Sequence, residues 1–347
     1  MRALVVEGSS AFALREMSAP EPGKYEALVR IRGCGICATT DWEIIRGRQP
    51  FHNDYPAVLG HESVGEVVAA GPGVKSFQIG DFVTRPVGIW PGEHRDGLAS
   101  GWGGFAEYGV VRDASAMARA GDPSLQNDYV ALRQQVVPQG VALPDAILAI
   151  SLAETASWFR HLPPVAGKSV AIAGTGIAGL GMILWSLFAG AKNIIVLGRR
   201  RERLELAKKI GAAHGIDVTQ GEIPARLRGA NQGHGADIFI EAVGLPDQIE
   251  IGLSCLAPGG TIAIYGVPEG QRYSLAWGAG PGDARIAQYP AEEHLAYGWV
   301  SSLIGRGLIP TALLMTHCWT LDRYQEAFTA VAEGTAVKGW IDLKSAS

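Results

Sequence analysis

The strongest constraint on this chain lies in its second half. Residues 168–173 (KSVAIA) form a short apolar, β-branched run that reads as a buried strand. Gly174-Thr175-Gly176-Ile177-Ala178-Gly179 follows at once, and the apolar segment 180–189 then reads as a helix. Residues 193–197 (NIIVL) read as a second strand. In 201–210, Leu204, Ala207 and Ile210 recur at helical spacing, and Gly211 suits the helix end. Residues 236–242 and, after the turn Pro258-Gly259-Gly260, residues 261–265 read as two more strands. Strand, helix, strand, helix, strand in succession leaves little choice. The strands lie parallel in one sheet and the helices cross over it with a fixed hand.

The three-glycine pattern is weak alone, since any Gly-rich chain produces it by chance, and this one has 46 glycines. Its place after a strand and at the start of a helix gives it meaning. The first glycine makes the tight turn, the second lets backbone approach a pyrophosphate, and the third lets helix and strand pack closely. The helix start, with Ile177, offers free N–H groups and a partial positive charge to phosphates. A Gly-rich turn with no ligand is the bland alternative.

The second strand bears on which dinucleotide. An NAD site places an acid near its end to bond the ribose 2′-hydroxyl. Here the strand runs into Gly198-Arg199-Arg200-Arg201. Glycine leaves room for a 2′-phosphate, and guanidinium groups bind one by charge-assisted hydrogen bonds. Basic charge at a helix start also opposes the helix dipole, so the cluster calls for an anion. The expected cofactor is NADP(H).

A length of 347 residues suits two domains. With 47% hydrophobic and 18% charged residues, the chain reads as soluble and globular. The net charge of −4 comes with no long basic run, which argues against nucleic acid or an anionic membrane surface as partner. The start, MRALVVEG, lacks the pattern of a signal peptide, and no apolar run is long enough for a membrane helix. Four cysteines are too scattered for a disulfide framework, so a reduced, cytoplasmic setting is expected.

The first 115 residues read as β-rich, with short apolar runs between Gly, Pro and Asp. Residues 119–146, rich in Gln, Pro and Asp, read as a surface excursion without an assigned fold. Residues 294–335 read mainly as helix and 337–343 as a last strand.

Within the β-rich part, Gly35-Ile36-Cys37 precedes a turn, and Gly60-His61-Glu62 comes later. Thiolate, imidazole and carboxylate together suit zinc, and a catalytic zinc takes three protein ligands and keeps a fourth position open. Each residue alone has a plainer reading, because a single cysteine is commonly a small core residue.

Taken together the motifs resemble the medium-chain dehydrogenase/reductase superfamily, and more closely its zinc-containing alcohol, polyol and sugar dehydrogenases. The resemblance rests on Gly35-Ile-Cys37, Leu59-Gly-His61-Glu62-Ser-Val-Gly65, Gly80-Asp81-Phe-Val, Gly103-Gly-Phe-Ala-Glu-Tyr108, the three-glycine loop, Glu241-Ala-Val-Gly244 and Pro258-Gly259-Gly260. It implies an α/β fold. A β-rich GroES-like catalytic domain (1–152, with return of 289–347) is joined to a doubly wound Rossmann domain (153–288) that binds NADP(H). It also implies that Cys37 and His61 bind one catalytic zinc, with Glu62 binding it directly or sitting just behind. Thr39 matches the hydroxyl that passes the alcohol proton.

Three departures stand out. The stretch 86–101 has no cysteine where the family's structural zinc needs four, so no structural zinc is expected. The position three after Cys37, often Asp in the family, is Thr40, with Asp41 next. The further ligand expected on the helix before the glycine loop falls at Ile150 or Ser151, neither a match. Glu154 lies one helical turn on and reads as a ligand, a catalytic acid or base, or a plain helix-surface carboxylate.

The reaction these features imply is hydride transfer between NADP(H) and a secondary alcohol or ketone, with a sugar, polyol or cyclitol among the candidate substrates. Trp42, Trp90, Trp102 and His94 fall in segments that line the substrate cleft in relatives. The resemblance further implies a homodimer or homotetramer. Two rivals stand beside this reading. One is a zinc-free quinone or enone reductase of the same superfamily, and the other is a non-catalytic NADPH-binding protein.

Overall fold

The computed structural model describes residues 1–8, 10–48, 54–126, 128–266, 275–276 and 278–344. The chain divides into two compact units. One comprises residues 1–151 and 297–347, and the other residues 152–296. The first division falls within the helix Leu143–Phe159. Residues 289–296, expected with the returning segment, cluster with the middle unit instead. Short-range ties hold them there: Glu292 N–H donates to Ser157 Oγ at 2.9 Å, and Tyr289 packs edge-on against Trp158.

The terminal unit is built on two sheets. A six-stranded one places Glu26–Ile36 between Lys338–Asp342 and Glu62–Ala70, both antiparallel to it. The second runs Phe12–Glu16, Arg2–Val6, Ala57–Val58, Leu98–Ser100, His94–Arg95. Alternation of buried Ala27, Val29 and Ile31 with more exposed neighbours puts one face of the long strand into the core. Ile31 packs with Leu59, Phe105 and Phe328, while Ala27 and Val29 pack with Val67, Phe77 and Val83.

The excursion at 119–146, unassigned from sequence, is helical. Helices Ala114–Ala120 and Tyr129–Arg133 flank a short 3-10 turn, and Leu143–Phe159 begins before the stretch ends. Asp113 and Asp128 cap the two short helices, each accepting from the backbone N–H three residues on. Val130 and Ala131 pack on Val87, Trp90 and Val110, and the Arg112 guanidinium lies 3.7 Å from the centre of the Trp90 ring. The stretch that lacks the four cysteines is thus held by an apolar cluster and a stacked guanidinium.

Residues 294–335 are not all helical. Met315–Thr320 is a strand paired parallel to Lys338–Asp342. The ladder with Lys338–Asp342 satisfies backbone groups that a helix would have paired internally.

The middle unit is the parallel sheet expected. Its order is His214–Asp217, Asn193–Gly198, Ser169–Ala173, Ala236–Glu241, Leu256–Ile264, Arg285–Gln288. Every residue of Ser169–Ala173 is buried, as a central strand covered on both faces requires. The chain passes from this strand to Asn193–Gly198 and His214–Asp217 on one side, then crosses to Ala236–Glu241 on the other. A crevice at such a switch point, outside the carboxyl ends of the strands, is where open α/β sheets bind ligands. Among the described residues, no helix is long and apolar enough to cross a membrane.

Candidate functional site

Within the terminal unit the long strand Glu26–Ile36 ends at Cys37, and Glu62–Ala70 begins beside it. Gly35 pairs with Glu62, and a Cβ on Gly35 would come within 2.8 Å of a Glu62 carboxylate oxygen. Glycine is therefore needed for the close approach that brings the two motifs together.

Cys37 Sγ accepts from the Thr40 N–H at 3.4 Å. Asp41 is fully buried. One of its oxygens accepts from the Cys37 N–H at 2.8 Å and the other lies 3.0 Å from His61 Nδ1. The imidazole also meets the Cys37 side chain. Burial alone would lower the pKa of His61, but the Asp41 carboxylate outweighs it and holds the ring well above its ordinary value. The carboxylate partner missing at Thr40 is thus supplied one residue later, because the helix Thr40–Ile45 turns Asp41 inward. Thr39 is the residue preceding that helix, exposed, with its carbonyl accepting from the Glu43 N–H.

Glu62 is engaged on both oxygens. Oε1 accepts from Ser151 Oγ at 2.6 Å, and Oε2 is clasped by the ammonium of Lys338, itself buried on Lys338–Asp342. Burial would raise the Glu62 pKa, but the Lys338 charge, then His61, outweigh it and hold the carboxylate at about 2. Lys338 is raised in turn, because Glu62 and Cys37 overcome its burial. Sequence reasoning missed Lys338. Its only signal was a lysine beside the apolar Trp340 and Ile341 in a short strand segment. Ile150 is fully buried, and Ser151 is spent on Glu62.

Breaking this buried pair strands a charge. We expect Lys338→Met to destabilise the protein by about 3–5 kcal/mol, seen as a melting temperature lower by about 10 °C. Lys338→Met combined with Glu62→Gln should recover much of the loss, because no uncompensated ion remains. The sign of the pH dependence follows. The Glu62 contribution is complete above the unfolded value of 4.5 and is lost as pH falls towards about 2. Acid titration of wild type and the double variant by circular dichroism should show the two stability curves converging across that window.

Of the aromatic residues singled out, only Trp102 meets this cluster within the unit: its ring centre is 5.5 Å from that of His61. Trp42 packs edge-on against Phe12 and Phe328, Trp90 is buried beneath Arg112, and His94 bonds Asp54 at 2.6 Å.

In the middle unit, Gly176 caps the helix Ile177–Phe188, and Thr175 lies between it and Gly174. A Cβ on Gly179 would fall 2.1 Å from the Gly174 carbonyl oxygen, so helix and turn could not pack as they do with any other residue. Gly174 has φ +117, in the left-handed region glycine favours. A Cβ on Gly198 would stand 2.7 Å from Thr175 Cγ2, so side-chain space at the end of the second strand is already taken. Arg199 and Arg200 are exposed beside it, Arg200 at the start of helix Arg201–Ile210. Arg203, which sequence reasoning passed over, is buried, and burial followed by the Arg200 charge lowers its pKa. Its spacing from Arg199 and Arg200 along the helix start was the available signal. Glu241 is buried at the end of its strand and accepts from the N–H groups of Val243 and Gly244, shaping the loop against Gly174. Glu154 belongs to this unit, and its carboxylate accepts from the Tyr265 hydroxyl at 2.9 Å.

Comparison with known proteins now decides the family. A sequence model described as the alcohol dehydrogenase GroES-like domain matches residues 23–121, and one described as zinc-binding dehydrogenase matches 178–276. The chain belongs to the zinc-type medium-chain dehydrogenase/reductase superfamily. L-threonine 3-dehydrogenase of Pyrococcus furiosus is 29% identical, with 95% of each chain covered. Sorbitol dehydrogenase of Bacillus subtilis is 26% identical over 94% of this chain and 92% of its own. Alcohol dehydrogenase from Thermus sp. ATN1 superposes with a TM-score of 0.80 at 26% identity, covering 99% of both chains. Benzyl alcohol dehydrogenase from Acinetobacter calcoaceticus shares the fold at a TM-score of 0.82 and 22% identity, again with 99% of both chains covered.

The family implies zinc and a nicotinamide cofactor. Among the described residues, no group of three or more His, Cys, Asp and Glu side chains stands ready to hold a metal ion. The donors that do converge in this dehydrogenase are Cys37 and His61. They fit zinc in kind, a soft thiolate and an imidazole whose other nitrogen is held by a buried carboxylate. Removing that carboxylate should loosen the metal without removing a donor. We expect Asp41→Asn to weaken zinc binding about 10–100-fold, measured by competition with a chromophoric chelator.

Proposed function

We propose that the chain is an NADP(H)-dependent, zinc-dependent oxidoreductase that interconverts a secondary alcohol and its ketone. The observation that carries the reading is His61 held between the Asp41 carboxylate and the Cys37 side chain. Cys37 and His61 are the direct donors to one zinc, and Glu62 is the carboxylate behind them, kept charged by Lys338. When bound, zinc supplies a Lewis acid for the alcohol oxygen, and the nicotinamide supplies the hydride carrier.

This chain's own residues do the rest. Asp41 fixes the imidazole so that its second nitrogen faces Cys37. Thr39, exposed at the helix start, passes the alcohol proton. Gly174 makes the turn, and Thr175, Gly176, Ile177 and Gly179 receive the pyrophosphate on backbone N–H groups at the helix start. Gly198, Arg199 and Arg200 take the 2′-phosphate. Glu154, bonded to Tyr265, is the remaining acid–base candidate. The relatives that are named as threonine and sorbitol dehydrogenases support a hydroxylated small molecule as substrate.

Zinc per subunit by plasma mass spectrometry, with NADPH- and NADH-linked turnover of a panel of alcohols and ketones, tests the reading. About one zinc and NADP(H)-linked turnover support it. A metal-free protein that reduces quinones or enones with NADPH would replace it with the zinc-free reading, which the occupied positions Ile150 and Ser151 favour. The same zinc measurement and panel test homo-oligomer contributions to activity when run at several protein concentrations.

A further inference from the structure

Two bulky residues of the terminal unit sit in left-handed backbone, and both touch His61. Arg85 has φ 54 and Trp102 has φ 67. The Arg85 guanidinium donates to the His61 carbonyl oxygen, and the Trp102 ring packs at 48° on the His61 ring. Side chains of this size rarely adopt that conformation, and it persists only where the surroundings over-determine it.

The surroundings do so here. Gly101 and Gly103, on either side of Trp102, both donate to the Val58 carbonyl, at 2.7 and 3.0 Å, and the Trp102 N–H donates to Ser100 Oγ at 3.2 Å. Arg85 N–H donates to the Ser63 carbonyl at 2.6 Å, and its own carbonyl accepts from Gln134 Nε2 at 2.8 Å. The Trp102 side chain also meets that of Tyr129. Tyr129 and Gln134 both come from the helical excursion, whose helix Tyr129–Arg133 is pinned by the Asp128 cap and by Arg112 on Asp128 at 3.2 Å. One inserted segment therefore steadies both strained residues.

We propose that Trp102, oriented by Tyr129, is the specificity-determining wall of the His61 site and selects secondary alcohols that carry the hydroxyl on a ring. The half-buried indole turns a broad apolar ring towards His61. Such a face packs on the face of an alicyclic ring better than on a flexible chain, which loses rotamer freedom to lie against it. The inference rests on the dehydrogenase reading above and names the substrate class of the same site.

The test compares cyclohexanol with 3-hexanol, which match in carbon number, in the zinc- and NADP-loaded enzyme. Trp102→Gly removes the ring and is the substitution that the left-handed backbone favours, so folding is protected. Tyr129→Phe keeps a ring but removes the hydroxyl. We expect the ratio of kcat/KM for cyclohexanol over 3-hexanol to fall about tenfold in Trp102→Gly and less in Tyr129→Phe, with zinc content unchanged in both. A ratio that stays within twofold of wild type in both variants overturns the proposal. Absence of turnover for either alcohol by the wild-type enzyme counts against the dehydrogenase reading instead. In that event, ligand-observed NMR binding of the same two alcohols decides the inference: ring preference lost in Trp102→Gly supports it, and equal binding by wild type overturns it.

Discussion

Replacing Cys37 with alanine should remove the metal from the protein and lower kcat about a thousandfold, equivalent to about 4 kcal/mol of transition-state stabilisation. Of the two donors that converge, Cys37 is the only thiolate, and the imidazole left behind is a single ligand. One imidazole does not retain zinc against water and buffer, because each remaining position must then be filled by solvent. The loss should be specific. Cys37 is only half-buried, so alanine leaves no large cavity, and Asp41 keeps its bond to His61. The variant should therefore melt within a few degrees of the metal-free wild type while its zinc content falls from about one per subunit to none. Retained metal would mean that the donors lie elsewhere. Retained activity without metal would move the reaction to a zinc-free chemistry.

The double substitution Arg199→Ala and Arg200→Ala should lower kcat/KM for NADPH about a hundredfold and change kcat/KM for NADH less than about threefold. Hydrogen bonds to a charged group contribute about 1.5–3 kcal/mol each, and solvent screening of two exposed arginines keeps their combined loss at the bottom of the range. The loss on one cofactor only is the informative part, since the two dinucleotides differ only in the 2′-phosphate. Both arginines are exposed, so the variant should keep its melting temperature. Steady-state kinetics with both cofactors at two ionic strengths checks this. Higher salt should weaken the wild type's use of NADPH and leave the variant nearly unaffected, because screening acts on the charge pair alone. An equal loss with NADH would show that the arginines serve the shared part of the cofactor. The converse change, an acid at position 198, is a poorer test, because a Cβ there already meets Thr175 and Leu204.

Local pattern settled the parallel sheet, its glycine loop and the chemical types at the candidate site. A buried parallel strand must be apolar and short, a crossover helix must show its period, and a turn that backbone approaches must be glycine. Each rule acts within a few residues, so Ser169–Ala173, Gly174 to Gly179 and Arg201–Ile210 are legible without a partner in view. The exposed charge of Arg199 and Arg200 at a helix start is legible for the same reason. What depends on distant parts of the chain was not. Asp41 stands one residue away from the expected position, and only the turn of its helix shows that it still reaches His61. Lys338 reaches Glu62 from the far end of the chain, and a lone lysine in a strand announces no partner. Met315–Thr320 is a strand because Lys338–Asp342 offers it a ladder. The excursion's helices are short and weakly periodic, held by caps and by packing on Trp90, so their fold and their hold on Trp102 exist only in three dimensions. Hydrophobic periodicity and backbone chirality are local and survive in the letters, whereas ion pairs, caps on tertiary partners and strained conformations depend on which segments meet, and that is decided by the packing of the whole unit.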